Sequence, residues 1–303
     1  MSKILNKRDF LKIALAGTSA AVLPALSFGR NNKIDIPGEP LQNKKTIFRT
    51  LGKTGIKVPI VGSGILPVNN INLCRKIFSS GMTNIDSAWD YQEGKNDEMV
   101  GKMLKEFGRD NYIVSTKVLL PQDQKTGLYT KKATTDAFLA QLDVSLSRMG
   151  IDHVDILYLH KPSNRACVLN EEMLKGLRKA KESGKARFTG ISSHGNQVEV
   201  LDAVIESKFY DVALVGYNYR ADAIVKPAIE RATAHGLGIV AMKVFAGGNT
   251  NEWWESNAAS KTSALKWVLN NENIHTAIVT MRSYDELDMF LPLLQDTFQV
   301  HHP

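Results

Sequence analysis

The sequence predicts an α/β protein, a (β/α)8 TIM barrel with an N-terminal β-hairpin. Three observations carry this expectation. Eight short, apolar, β-rich runs alternate with helical patterns from residue 58 to residue 295. Several of these runs are nearly continuous in hydrophobic residues, as in Val154-Asp155-Ile156-Leu157-Tyr158-Leu159, the pattern of strands buried on both faces by crossover helices. Eight βα units in about 240 residues match the size of such a barrel, and no composition break or long linker divides residues 45–300. A doubly wound open sheet uses the same units and is the competing architecture.

The elements follow in order. Residues 46–58 read as two short strands around Lys53-Thr54-Gly55, a hairpin ahead of the first barrel strand. Strands are expected at Val58–Ile65, Asn84–Ala88, Tyr112–Val118, Val154–His160, Arg187–Ser193, Val212–Tyr217, Gly238–Val244 and Thr276–Met281. Helices are expected at Asn96–Phe107, Lys132–Met149, Glu171–Ser183, Gln197–Ser207, Ala223–Ala234, Thr262–Asn270 and Tyr284–Leu294. Leu139, Leu142, Leu146 and Met149 show the three- and four-residue steps of an amphipathic helix.

The first 29 residues have another character. Lys7-Arg8 precede a mild apolar stretch, Ile13 to Phe28, that ends in small residues. A basic start, a short apolar core and a small-residue exit are the parts of a secretory signal. The stretch is short for a membrane span, and Gly17, Thr18, Ser19 and Pro24 weaken it further. The segment resembles a twin-arginine signal with Lys-Arg in place of Arg-Arg, which implies export to the periplasm; an uncleaved N-terminal helix is the alternative. The expected organisation is a signal at residues 1–29, a polar linker at 30–45 and a barrel domain at 46–303.

Composition excludes several classes. With 43% hydrophobic and 23% charged residues the chain is neither disordered nor a multi-span membrane protein. Of the net charge of +7, Lys3, Lys7, Arg8 and Lys12 against Asp9 place +3 in residues 1–29. No basic run with interleaved aromatics follows, so nucleic acid is not an expected partner. Cys74 and Cys167 make no disulfide framework and are too few for an iron–sulfur cluster. His301-His302 read as a tail rather than a metal site, and no metal is expected. Gly52-Lys53-Thr54 is not a phosphate loop, because Ile47 stands where the first glycine must be. Gly62-Ser63-Gly64 is not a dinucleotide fingerprint, because Pro67 stands where the third glycine must be.

In a (β/α)8 barrel the reacting groups sit at the C-terminal ends of the strands. The second strand ends in Asp86-Ser87-Ala88 with Tyr91 just beyond, the third carries Lys117, and the fourth ends in His160. Each has a plain structural reading: a cap for Asp86, packing for Tyr91, a solvated cation for Lys117, a satisfied imidazole for His160. Four ionisable groups at the ends of successive strands are harder to explain that way, since inward barrel positions are mostly apolar.

These residues carry a resemblance. Gly81-Met-Thr-Asn-Ile-Asp86-Ser-Ala-Trp-Asp-Tyr91, Lys117 and Leu157-Tyr-Leu-His160 resemble the signature of the aldo-keto reductases. Phe48-Arg-Thr-Leu-Gly-Lys-Thr-Gly-Ile-Lys-Val58 is similar to that family's N-terminal hairpin, and Phe188–Ser193, Gly216–Asn218 and Ala241–Gly248 continue the likeness. The resemblance implies a barrel that binds NADP(H), or NAD(H), in an extended conformation without the glycine fingerprint. It implies a catalytic tetrad of Asp86, Tyr91, Lys117 and His160: Tyr91 as general acid, Lys117 lowering its pKa, Asp86 holding Lys117, and His160 orienting the carbonyl. It implies cofactor contacts from Gly64, Ser192, Ser193, Met242, Lys243, Phe245, Gly247 and Arg282, with Phe245–Gly248 as a pyrophosphate loop and Arg282 on the adenosine 2′-phosphate. Ser193 replaces a common Asn, Leu214 a common Gln, Met242 the usual stacking aromatic, and Glu286 a frequent Arg. Arg282 also reads as a solvated cation at a helix start. Ala241-Met-Lys resembles a branch with a cysteine-rich ferredoxin-like tail, which two cysteines do not supply.

The implied activity is reversible reduction of an aldehyde or ketone, sugar-derived carbonyls included, with a small carbonyl or alcohol as substrate. Two alternatives stand beside it. Leu214 and Met242 motivate a non-redox proton-transfer enzyme, an epimerase or lyase, and an intact tetrad is also compatible with a non-catalytic binding barrel. Trp253-Trp254, in the loop Gly248–Ser260, either cover the mouth or pack on the barrel. Substrate identity and oligomeric state are not encoded in any motif.

Overall fold

The computed structural model describes residues 46–245 and 258–295. The signal and linker expected for residues 1–45, together with Gly247, Trp253, Trp254, His301 and His302, lie outside the described residues. The chain opens with an antiparallel hairpin of β1 (Phe48–Thr50) and β2 (Lys57–Pro59). Eight parallel strands follow: β3 (Val61–Ser63), β4 (Asn84–Asp86), β5 (Ile113–Val118), β6 (Val154–His160), β7 (Ala186–Ser193), β8 (Val212–Gly216), β9 (Gly238–Met242) and β10 (Thr276–Val279). They pair in chain order and β10 returns to β3, which closes the barrel. The expected (β/α)8 barrel with its N-terminal hairpin is therefore the observed fold, and the open sheet is excluded by the β10–β3 ladder.

The connecting helices are α1 (Ile71–Phe78), α2 (Lys95–Phe107), α3 (Thr135–Met149), α4 (Arg165–Val168), α5 (Glu171–Glu182), α6 (Gln197–Ser207), α7 (Asp222–Ala234), α8 (Ala258–Leu269) and α9 (Tyr284–Phe290). Asn70, Thr134, Asn170 and Ser283 cap α1, α3, α5 and α9 by accepting from backbone N–H groups of the first turn, each replacing water for an otherwise unbonded donor. Most elements differ at one or both ends by one to four residues from the pattern in the sequence, and three departures bear on the architecture. The first expected strand, Val58–Ile65, is divided between hairpin and barrel. Ile60 donates its N–H to Ile47 O on the hairpin side and accepts from Ala277 N on the barrel side, so one residue joins the two sheets. Helix α1, only eight residues long, has no counterpart among the expected helices, because two turns give too short a run for the period to show. The last expected helix gives way to a 3-10 turn at Leu291–Leu294, where Pro292 supplies no N–H.

The apolar core lies mainly between strands and helices. A smaller cluster of Leu51, Val58, Ile156, Tyr158, Val212, Leu214 and Val240 fills the barrel itself. Leu51 reaches it from the hairpin, so the hairpin closes the N-terminal end. The fit is close: Gly52 (φ 50°) lies against β9, and a Cβ there would sit 2.3 Å from Gly238 N. No helix among the described residues is long and apolar enough to cross a membrane.

Candidate active site

The ladder registers assemble the rim. Asp86, the last residue of β4, lies opposite Ser115 of β5. Two residues on, and so on the same face, Lys117 lies opposite Tyr158 of β6. Two residues further along β6, His160 lies opposite Ser192 of β7. Each step moves one strand around and two residues up, so the barrel's stagger delivers Asp86, Lys117, His160 and Ser192 to one side of the mouth.

Lys117 is fully buried. Its Nζ donates to Asp86 Oδ2 at 2.5 Å and to Ser87 O at 2.7 Å, and it sits 4.5 Å from the centroid of the Tyr91 ring. Ser115 Oγ donates to the other oxygen of Asp86 at 2.7 Å. Burial alone lowers a lysine's pKa, but the Asp86 carboxylate and Tyr91 outweigh it, so Lys117 titrates above its usual value and stays charged. For Tyr91 the order differs from the expectation. Burial pushes the phenol up more strongly than Lys117 pulls it down, and the net shift is upward. Tyr91 therefore holds its proton at neutral pH, with a cation beside it to stabilise the phenolate when that proton leaves.

His160 is buried, and among the described residues neither ring nitrogen has a hydrogen-bond partner. Its ring meets Tyr91 edge-on at 6.1 Å and His194 at 5.5 Å. Burial, then Lys117, Lys161 and His194, push its pKa down to about 2, so the imidazole is neutral. Burial, then Lys243, Lys161 and Lys117, push His194 down to about 4. Asp90 Oδ1 is buried without a hydrogen bond and lies 4.0 Å from His160 Nδ1.

A polar network braces this group from behind. Asn96 Nδ2 donates to Ser87 Oγ at 2.8 Å, Ser87 Oγ donates to Asp97 Oδ1, and Ser145 Oγ donates to Asp97 Oδ2 at 2.6 Å. Burial raises Asp97 to about 6 against the hydrogen bonds from Ser145 and Ser87. Arg148 of α3 donates to Trp89 O at 2.6 Å and packs on Gly94, where a Cβ would meet its guanidinium at 2.4 Å. Gln92, Glu93 and Gly94 all take left-handed backbone, a tight turn that folds the Tyr91 loop against this brace.

The residues named as cofactor contacts are placed as follows. Ser192 Oγ is buried at the rim without a partner among the described residues. Ser193 Oγ is committed to Gly195 O at 2.6 Å and Pro162 O at 3.2 Å, so its hydroxyl braces its own loop. Gly64 follows β3 and donates its N–H to Val279 O. Met242 ends β9, half-buried against the inner cluster that holds Leu214. Lys243 (φ 54°) donates to His194 O at 3.4 Å. The Phe245 side chain stacks on Phe290 of α9 at 5.5 Å, directed into the outer core. Arg282 lies beyond β10, and its backbone N–H donates to Glu286 Oε2 at 2.7 Å. Glu286 also pairs with Lys261 at 2.7 Å. The unpartnered hydroxyl of Ser192 and imidazole of His160 fit a ligand with hydrogen-bonding groups at the barrel mouth. Sequence reasoning did not single out Lys161, His194, Asp90 or Asp97; the first two directly follow His160 and Ser193, the only signal available for them.

Barrel and rim together define a class. Residues 63–264 match the Aldo/keto reductase family, and the chain belongs to that family. It is 36% identical over 160 residues to the L-glyceraldehyde 3-phosphate reductase of Escherichia coli (strain K12), covering 48% of this chain and 45% of that protein. The chain thus spans about half the length of such curated relatives. It is 26% identical to the L-galactose dehydrogenase of Arabidopsis thaliana over 80% of this chain and 86% of that protein. Among solved structures, the aldo-keto reductase of Klebsiella pneumoniae in complex with NADPH superposes with a TM-score of 0.66 and 20% identity, over 83% of this chain and 90% of that one.

Proposed function

We propose that the protein is an NAD(P)(H)-dependent oxidoreductase that interconverts an aldehyde or ketone with its alcohol. The observation that carries this reading is the Tyr91–Lys117–Asp86 array, its ion pair buried, facing an unpartnered, neutral His160. The nicotinamide cofactor, when bound, supplies the hydride that a carbonyl carbon accepts. The chain's own residues supply the rest. His160 donates a hydrogen bond to the carbonyl oxygen and orients it. Tyr91 gives its proton to that oxygen as charge develops there, and Lys117, held charged by Asp86, stabilises the phenolate left behind. In the oxidative direction the same phenolate takes the alcohol's proton.

The buried, unpartnered hydroxyl of Ser192 supports a contact with the carboxamide. NADP is favoured over NAD: Arg282 offers a guanidinium for the 2′-phosphate, and Glu286, which would oppose that phosphate, is neutralised by Lys261. The names of the Escherichia coli and Arabidopsis relatives support a sugar-derived carbonyl as substrate. Lys7-Arg8 and the apolar stretch after them support export by a twin-arginine-type route, with cofactor loaded before the folded protein leaves.

The test is a titration of tryptophan fluorescence with NADPH and NADH in the wild type and in Tyr91→Phe, alongside carbonyl-dependent nucleotide oxidation. Saturable binding in both proteins is expected, with turnover lowered by roughly 10² to 10⁴ in the variant. Absence of binding to either nucleotide, checked by calorimetry, would sink the redox reading.

A further inference from the structure

A cation with no assigned task stands next to the reacting groups. Lys161 immediately follows His160, about 3.8 Å away along the backbone. Its N–H donates to Ser192 O at 2.8 Å, which carries the β6–β7 ladder one residue past the strand. The chain then turns in the left-handed region, at φ 60°. A lysine costs more there than a glycine would, so the position is held against a local preference. Among the described residues the ammonium makes no hydrogen bond or ion pair, and its side chain is exposed.

Among the described residues Lys161 is also the one charged residue lining a groove of about 420 Å³ at the mouth, whose walls are Trp89, Leu119, Leu120, Pro121, Gln122 and Gln141. Trp89 of this groove lies beside the strand that carries Lys117, its backbone N–H meeting Lys117 O at 3.4 Å. The wider field has the same sign. Lys161 acts on His160, His194 and Lys243 and opposes a positive charge on each. Asp90 is the acid facing His160, while Lys117 is already paired with Asp86. A groove with largely apolar walls and one ammonium, on the residue next to the carbonyl-orienting His160, suits a short carbon chain with an oxo group at one end and an anion at the other.

Resting on the carbonyl-reductase reading, we infer that the substrate is an anionic carbonyl compound whose carboxylate or phosphate is held by Lys161. Lys161 then sets specificity: it binds the end of the substrate that does not react, while Tyr91 and His160 handle the end that does.

The experiment uses the full chain with NADPH and two matched pairs of aldehydes. 4-Carboxybenzaldehyde is compared with methyl 4-formylbenzoate, and glyceraldehyde 3-phosphate with glyceraldehyde. In the wild type at low salt, kcat/KM for the anionic member is expected to exceed that for its neutral partner by about tenfold or more, the scale of one charge-assisted contact. Preference in the first pair alone identifies a carboxylate, and in the second alone a phosphate. The ratio is expected to collapse toward one in Lys161→Met, survive in Lys161→Arg and invert in Lys161→Glu. Turnover without preference, or a ratio unchanged in Lys161→Met, overturns the inference and leaves the reductase reading intact. If no aldehyde turns over with either nucleotide, the reductase reading fails, and tryptophan quenching by 4-carboxybenzyl alcohol decides the anion site separately. Saturable quenching that is lost in Lys161→Met keeps it, and its absence in the wild type removes it.

Discussion

Replacing Asp86 with asparagine should expose how tightly folding and catalysis share one ion pair. The substitution keeps the shape and removes the charge. Lys117 is fully buried, and the partners left to it, Ser87 O and the neutral Tyr91 phenol, carry no charge, so the ammonium is left without a counter-charge. Breaking a buried pair from one side costs about 3–5 kcal/mol, a large part of a typical stability of about 5–15 kcal/mol. At about 2–4 °C per kcal/mol the melting temperature would fall by roughly 6–20 °C.

The pH dependence identifies the cause. In the wild type Lys117 titrates above its ordinary value when folded, so its contribution is fully present below the unfolded pKa and fades only as pH rises through the folded one. In Asp86→Asn burial dominates and the folded pKa drops below the unfolded value. The unfolded chain then binds one more proton than the folded chain across the interval, and stability rises with pH by up to about 1.4 kcal/mol per unit. Urea denaturation followed by tryptophan fluorescence at pH 7, 8 and 9 reads this slope directly. Asp86→Asn/Lys117→Met should recover much of the loss, because no unpaired charge remains. A single variant that loses under about 1 kcal/mol and shows no slope would refute the argument.

Three further outcomes are expected. His160 and His194, held near 2 and 4, stay neutral as pH falls below 6.5 while the unfolded chain takes up protons, so acid lowers stability from 6.5 downward; Asp97, raised to about 6, partly opposes this between 6 and 3.8. His160→Gln should flatten the acid limb, and the wild-type kcat/KM profile should show no inflection near 6.5 that His160→Gln abolishes. Arg282→Ala should raise KM for NADPH about tenfold or more while changing KM for NADH little, as loss of one charge-assisted contact would; equal effects on both would remove Arg282 from the 2′-phosphate. Gly94→Ala combines φ 89° with a clash against the Arg148 guanidinium and should cost about 1–3 kcal/mol by chemical denaturation, with a larger drop in kcat than in nucleotide affinity as the Tyr91 loop loosens.

Much of this architecture was legible in the chain. Strand β6 matches the expected Val154–His160 to the residue because its run is nearly continuous in hydrophobic side chains. Asp86, Lys117 and His160 stood out because ionisable residues at the ends of apolar runs have few structural explanations. What escaped depends on three-dimensional register. Ile60 looks like the middle of a strand and is in fact shared between two sheets. Asp97 looks like a first-turn helix acid, and only the crossing of α2 and α3 shows it accepting from Ser87 and Ser145. The direction of the Tyr91 shift also required the structure, since a lysine neighbour and burial oppose each other and spacing alone cannot weigh them.

The ladder that closes the barrel joins residues 61–63 to residues 277–279. During synthesis, that seam waits for the last strand to leave the ribosome, while β4 and β5 can meet as soon as both have emerged. Lys117 and Asp86, 31 positions apart, can therefore find each other in an open, hydrated sheet. The Leu51 stopper cannot seat until β9 exists, because Gly52 lies against Gly238. The charge pair would thus be formed wet and dried afterwards, which separates the attraction between the two charges from the expense of stripping their water. A chain stalled before its final strand would hold the reacting groups in sequence order around an incomplete wall, still hydrated, with the chemistry assembled and the solvent not yet expelled.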